Sequence, residues 1–452
     1  MWPPKTAVFA PFDESKARQV CLKMMADLER ENCAWTGMFG ALVCQDASGK
    51  EVVLRAFGGS FEGAWNREGF APPLFDEQKY NAAILPNDKK IHELSVAPPN
   101  ETQEQKAARD KERLFLCNQT LQKIYSLYRF CCFDQKWRTF DDISQNKLLP
   151  TGTGDCSAPK LLSQAFSLGL VPISLAEFYW GKPNSRLVPK NFYPPCDEKC
   201  ALILPAILGL EIIYRDKNIL VVNKPSGLLS VPGRGEGKQD CVVTRAQKLF
   251  PQMIGQPSVH RLDMDTSGLM VLAFDEASHR ALNAQFENRL VKKRYVAVLD
   301  GVVKEESGRV ELKHRVDIDN RPRQILDDIY GKLAVTEWQR LRVWTRRDAA
   351  GNERKATSVL FEPHTGRTHQ LRVASAYALG AAIVGDNLYG KENVCKTETC
   401  GAGMTAGAGF SQEENSLQGQ KERLLLHASD LSFTHPATGE RLDFHSDPPF
   451  KF

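Results

Sequence analysis

The stretch His260-Arg261-Leu262-Asp263-Met264-Asp265-Thr266-Ser267-Gly268 runs directly into Leu269-Met270-Val271-Leu272-Ala273-Phe274. A polar loop that feeds an unbroken apolar strand can hold one carboxylate still, because the strand fixes the exit of the loop. Asp263 is that carboxylate. Arg261, two residues earlier, can approach a phosphate or a neighbouring base while Asp263 faces a substrate. Asp265 reads as a surface acid and Asp275 as a helix cap.

The pattern on either side is dense and mixed. Ile212-Ile213-Tyr214, a polar Arg215-Asp216-Lys217-Asn218 turn and Ile219-Leu220-Val221-Val222 read as a hairpin that Asn223-Lys224-Pro225-Ser226-Gly227 ends. Asp275 precedes a helix with Leu282, Phe286 and Leu290 on one face. Tyr295 to Leu299 and Thr357 to Phe361 read as strands, and His369 to Leu379 as a helix stopped by Gly380. Leu431 to Phe433 and Leu442 to Phe444 form a last hairpin around His435-Pro436-Ala437-Thr438-Gly439. The Gly-, Ser- and Gln-rich stretch 392–420 reads as a mobile insertion.

Four blocks in this half occur in an order that resembles the RluA family of RNA pseudouridine synthases. They are Val222-Asn223-Lys224-Pro225-Ser226-Gly227-Leu228 with Val231-Pro232-Gly233, the Asp263 stretch (HRLDxxTSG), Lys293-Arg294-Tyr295-Val296-Ala297, and Thr365-Gly366-Arg367-Thr368-His369-Gln370-Leu371-Arg372. Gly385-Asp386 and Leu425-Leu426-His427-Ala428 follow the last. The resemblance covers roughly 211–450. It implies an α+β catalytic domain with a mixed, mostly antiparallel sheet and a central cleft. Asn320-Arg321-Pro322-Arg323-Gln324 resembles the branch that gives the family its name, which acts on a large-subunit ribosomal RNA site and a tRNA anticodon-loop site.

The resemblance also assigns roles. Asp263 is the catalytic residue, Arg372 its partner, and Tyr295 the pocket aromatic that stacks on uracil and helps move a proton. Arg261 would fill the gap left by a flipped uridine, and Arg321, Arg323, Arg367 and His369 would meet phosphates. Uridine and pseudouridine are isomers, so the stoichiometry requires no redox cofactor and no metal. RNA is the expected partner, with no membrane, no obligate protein partner and a monomer as the default.

The chain has 452 residues, enough for two or three domains. The net charge of +4 permits a nucleic-acid partner without requiring one. No secretory signal and no bilayer-length apolar run is found, so a cytoplasmic location is expected. The expected organisation is an α/β module over 1–100, a charged helical segment over 101–150, a loop and helix connector over 151–205, and the catalytic domain over 206–452. Within the first of these, Lys16 to Glu31 has helical spacing and Phe39 to Phe57 alternates like a hairpin with its turn at Asp46-Ala47-Ser48-Gly49. Glu101 to Phe130 reads as one charged helix.

Two other readings compete. One is an RNA-binding protein on a synthase scaffold that has lost catalysis, although Asp263, Tyr295 and Arg372 are all kept. The other gives the first half its own activity. Of the twelve cysteines, Cys156, Cys196 and Cys200 faintly resemble the zinc ligands of nucleobase deaminases, without the His/Cys-x-Glu element or the Pro-Cys-x-x-Cys spacing. A Cys-x3-Cys with one distant thiol and no matching pair is a weak zinc signature, so thiols without metal are expected.

Overall fold

The structure, a computed structural model, describes residues 12–144, 149–196, 199–348, 351–390 and 422–452. The segment read as a mobile insertion lies outside the described residues, as do Cys395 and Cys400. The described residues divide into two units, one within 12–216 and 245–252 and one within 217–244 and 253–452. Among the described residues no helix is long and apolar enough to cross a membrane.

The first unit begins with α1 (Ser15–Arg30), then the hairpin β1 (Gly37–Gln45) and β2 (Glu51–Phe57). Two long helices follow, α2 (Glu77–Ser95) and α3 (Gln103–Tyr125), then β3 (Arg129–Cys131), β4 (Trp137–Thr139) and the short α4 (Phe140–Ser144). Next come α5 (Ser157–Ser167), β5 (Val171–Trp180), β6 (Phe192–Tyr193), α6 (Leu204–Leu208) and β7 (Glu211–Arg215). The main sheet has the order β2-β1-β5-β6 and is antiparallel throughout. Strand β5 falls inside the stretch read from sequence as a connector, and it pairs along the length of β1.

Burial explains these layers. Ala17, Cys21, Met24, Met25 and Leu28 form the apolar stripe of α1 and pack with Phe39, Ala41, Val43 and Phe178 of the sheet. The intervening β1 position Gly40 faces α5, and a Cβ there would stand 2.8 Å from the Cβ of Ser157. Glycine at this position is what lets α5 approach. Thr102 and Gln105 cap α3 reciprocally, fixing its start two residues after the expected one. The helix ends at Tyr125, short of the expected Phe130, and Leu114 on it is exposed.

The second unit begins with β8 (Ile219–Lys224). Helix α7 (Val242–Leu249) follows and divides at Thr244, its later part grouping with the first unit. Then come β9 (Ser267–Ala273), α8 (Glu276–Glu287), β10 (Lys292–Asp300), β11 (Ser307–Val316), β12 (Gln324–Leu326), β13 (Lys332–Arg347) and β14 (Glu353–Pro363). A single turn, α9 (Gln370–Val373), runs into a π turn over Ala374–Ala378, and β15 (Leu426–Thr434) and β16 (Arg441–His445) close the unit. The expected longer helix over 369–379 is thus one helical turn with a wider continuation.

The sheet runs β12-β11-β13-β14-β10-β15-β9-β8, with β16 on β15. The β9–β15 pair is parallel, while the neighbouring β8–β9 and β10–β15 pairs are antiparallel. Every residue of β9 is buried, which accounts for its unbroken apolar run. The Asp275 side chain accepts from the backbone N–H of Ser278 at 2.8 Å and caps α8 as expected. The fold class is α+β with a mixed, mostly antiparallel sheet, as the sequence led us to expect.

Candidate active site

Asp263 stands on the loop that leads into β9, and the segment after β8 holds that loop from beneath. The wholly buried Lys224 ends β8. Its ammonium donates to the carbonyl oxygens of Pro225 (3.0 Å), Leu228 (2.6 Å) and Met264 (2.8 Å). The Gly227 N–H also donates to Met264 O (2.9 Å), and the Ser226 hydroxyl donates to Asp265 O (2.7 Å). On the other side of Asp263, the Ser230 hydroxyl donates to Leu262 O (2.7 Å) and accepts from Leu262 N–H (3.0 Å). The Thr266 N–H donates to Asp263 O at 3.2 Å, so both peptides flanking the carboxylate are held, and the next one as well. Burial pushes Lys224 down to about 7, against the opposing pull of the Asp263 and Asp265 charges.

The exit of the loop is equally constrained. Ser267 and Gly268 pair in parallel with His427 and Ala428. Gly268 has φ +120°, and a Cβ on it would lie 2.4 Å from the backbone N and O of Ala428. Only glycine fits there. His427 Nε2 lies 3.1 Å from Ser446 O, which can only accept, so this nitrogen carries the proton. Its Nδ1 then accepts from the Ser267 hydroxyl at 2.9 Å. Burial pushes His427 down to about 4, in keeping with a neutral ring.

Asp263 opens onto a cleft of about 500 Å³ that Tyr295, Arg372, His369, Arg261 and Arg367 also line. Tyr295 lies on β10, paired with Phe361 and Ala428 on its two neighbours. Burial and then the Asp263 charge push its phenol well above the usual range, so it stays protonated at neutral pH. Lys293, on the same strand, also lines the cleft, and burial pushes it down to about 8.

Arg372 is buried, and its guanidinium grips the Asp386 carboxylate through Nε (2.8 Å) and Nη2 (2.6 Å). Nη2 also donates to Asn387 Oδ1 at 3.2 Å. Burial opposes its charge, but the hydrogen bonds and charge of Asp386, followed by the charge of Asp263, raise its pKa above the usual value. The two-pronged partner of Arg372 is thus Asp386, and Arg372 acts on Asp263 by charge.

His369 Nε2 lies 4.0 Å from Oδ2 of the Asp263 carboxylate. His369 has a left-handed backbone, φ +56°, and is buried. Its Nδ1 lies 2.9 Å from the Tyr389 hydroxyl, which accepts from Gln324 N–H at 2.7 Å. The arrangement that uses every proton has Tyr389 donating to Nδ1, which leaves Nε2–H directed toward Asp263. Burial lowers the His369 pKa, which favours this neutral form. His369, read from sequence as a phosphate contact, lines the cleft close to the carboxylate.

Gln370 fixes the loop that carries Arg367. Its Oε1 accepts from the Thr365 hydroxyl (2.7 Å) and Arg367 N–H (2.9 Å), while its Nε2 donates to Val335 O (2.9 Å) and Thr336 Oγ1 (2.8 Å). Arg321 and Arg323 are outside the cleft lining, in the turn between β11 and β12. Arg323 reaches the Tyr377 hydroxyl at 3.4 Å and lies 5.9 Å from the centre of the Tyr389 ring, which links it to His369. Lys224, Asp386, Gln370 and Tyr389 had no role in the sequence reading. A lysine closing an apolar strand was the one signal that could have singled out Lys224.

Residues 218–377 match a family model described as RNA pseudouridylate synthase. The chain is 42% identical over 241 residues to the dual-specificity RNA pseudouridine synthase RluA of Escherichia coli K12, which covers 53% of this chain and 94% of the relative. It is 39% identical over 239 residues to the protein of the same name from Yersinia pestis, covering 53% and 99%. The solved structure of human RNA pseudouridylate synthase domain containing 1 overlays 54% of this chain and 84% of its own, at 27% identity and a TM-score of 0.40.

Proposed function

Because the chain belongs to the RluA family of RNA pseudouridine synthases, and so is an isomerase acting on RNA, we propose that it converts specific uridines of ribosomal RNA, transfer RNA or both. In this reading Asp263 is the catalytic carboxylate and the target uridine is flipped out of its stack into the cleft. The observation that carries it is the clamp around Asp263. A carboxylate with both flanking peptides pinned opens onto a cleft that also holds a protonated Tyr295 and a cationic Arg372.

The reaction breaks the N1–C1′ bond, turns the uracil and joins C5 to C1′, and the C5 proton is lost as N1 regains one. Atoms and electrons balance within substrate and solvent. Asp263 would act either by adding to the substrate or by removing a sugar proton, and an anionic carboxylate serves both routes. The Arg372 guanidinium and the His369 Nε2 line the same cleft as the carboxylate. Tyr295 would stack on the uracil and relay the last proton. Flipping costs a few kcal/mol, which phosphate contacts from Arg367, Arg321 and Arg323 and insertion of Arg261 would offset. The unit that precedes the catalytic domain would extend the RNA-binding surface or select the substrate.

The test is pseudouridine mapping across total RNA from cells carrying the wild-type chain or Asp263→Asn. Sites modified with the first and unmodified with the second are expected. Identical maps from two folded, expressed proteins would overturn the catalytic reading in favour of an RNA-binding protein.

A further inference from the structure

Three thiols distant in sequence meet in the first unit. Cys156 is the residue just before α5, Cys196 lies 40 positions later, and Cys200 opens a 3-10 turn over Cys200–Leu202. Their sulfurs all lie within 4.8 Å of one another. Among the described residues, no other group of three His, Cys, Asp or Glu side chains converges in this way. Tetrahedral coordination at a Zn–S distance of about 2.3 Å places sulfurs roughly 3.8 Å apart, inside that spread.

The backbone around the thiols is ordered by short-range bonds. Ala201 N–H donates to Cys196 O (3.1 Å) and Ile203 N–H to Cys200 O (3.0 Å), while Gly152 and Gly154 turn the chain into Cys156 with φ of +83° and +89°. Cys200 is buried, and Cys156 and Cys196 are half-buried. One side of the cluster is therefore closed by protein and the other reachable.

Lys160, one turn into α5, is wholly buried and donates to Phe57 O (3.0 Å) and Gly59 O (3.1 Å), which ties the start of the helix that follows Cys156 to the end of β2.

We propose that Cys156, Cys196 and Cys200 bind one Zn²⁺ as thiolates, with the fourth position open to a water molecule. Soft sulfur ligands select zinc over magnesium or calcium, and the three thiol protons leave to solvent on binding. The ion ties the turn that opens at Cys200 to the start of α5. The sequence expectation of thiols without metal fails on this reading because the fold, and not local spacing, supplies the third ligand.

Full-length protein, purified without chelator or metal-affinity tag from zinc-containing medium, is to be assayed by plasma mass spectrometry. One zinc per chain is expected, retained through gel filtration and lost in Cys156→Ser, Cys196→Ser and Cys200→Ser but kept in Cys44→Ser. Exchange with Co²⁺ should give thiolate-to-cobalt charge transfer and tetrahedral d–d bands in the wild-type chain. The wild-type readings decide the matter even where a serine variant misfolds. A zinc-free wild-type chain that takes up neither added Zn²⁺ nor Co²⁺, a different resident metal, or a disulfide among the three found by peptide mapping would overturn the proposal.

Discussion

The ammonium of Lys224 and the carbonyl of Met264 meet at 2.8 Å, one peptide beyond Asp263. The same ammonium holds Pro225 O and Leu228 O, so one buried charge joins the end of β8 to the carboxylate loop. Two blocks of the motif pattern, Asn-Lys-Pro-Ser-Gly and the Asp263 stretch, are thereby parts of one device. Lys224→Met keeps the apolar stem and removes the donors. Met264 O keeps the Gly227 N–H, whereas Pro225 O and Leu228 O lose the ammonium, and each buried carbonyl left without a partner costs about 1–3 kcal/mol. A displacement of the carboxylate by about 1 Å costs on the order of 10²-fold in rate. The expected variant melts at lower temperature and loses single-turnover rate on RNA with little change in RNA affinity. A folded variant with wild-type rate would show that the clamp does not set the position of Asp263.

Asp386 is as consequential as the residue it grips. Asp386→Ala would leave the Arg372 guanidinium buried without its two-pronged partner, at a cost of about 3–5 kcal/mol. Asp386→Asn keeps one acceptor and the shape but removes the charge, so its melting temperature should fall less. Both should lose most activity, because Arg372 would no longer be fixed beside the cleft. Thermal melts paired with pseudouridine yield separate the effects. Full activity in a stable Asp386→Asn chain would mean that the geometry of Arg372 is immaterial.

What could be read in the sequence follows the distinction between local and distant causes. The buried strand β9, helix α1, the Phe39 to Phe57 hairpin and the Asp275 cap are local patterns, and each appears where its residues place it. Strand β13 was missed because much of it is exposed and charged, so no apolar alternation marks it. Helix α2 was missed for a related reason, since it buries no side chain and carries Pro86 in its interior. Partnerships such as Arg372 with Asp386 or His369 with Tyr389 depend on folding back of the chain. Residue type and spacing cannot supply those. The burial of His369 close to Asp263 is the clearest example, since the sequence around it signals neither.

The outlying arginines give a prediction about salt. Arg321 is exposed and Arg323 half-buried in the β11–β12 turn, away from the cleft lining. If each meets one phosphate, replacing it with alanine removes one counterion-releasing contact. The slope of log affinity against log salt should then shrink by roughly 0.7–0.9 for each residue. Site choice should be unchanged, because phosphate contacts carry no sequence information. Binding isotherms on one RNA across a salt series measure it, and unaltered slopes in both variants would remove these residues from the RNA surface.

Acid should destabilise the catalytic unit through its buried histidines. Burial pushes His427 down to about 4, and burial followed by the Lys293 charge pushes His260 to about 3, from an ordinary value of 6.5. The unfolded chain therefore binds these protons first as pH falls. The stability tied to each neutral ring is complete above pH 6.5, declines as pH drops through the interval, and is lost by about pH 4 for His427 and about pH 3 for His260. Each ring contributes about 1.4 kcal/mol per pH unit across its window. The physical origin for His427 is that its Nδ1 must accept from Ser267, so protonation breaks that bond as well as burying a charge. Denaturant melts between pH 7 and pH 5 should show this slope, and His427→Gln, which does not titrate, should show a shallower one from a lower starting stability. Equal slopes for wild type and His427→Gln would mean that this histidine is not held neutral in the fold.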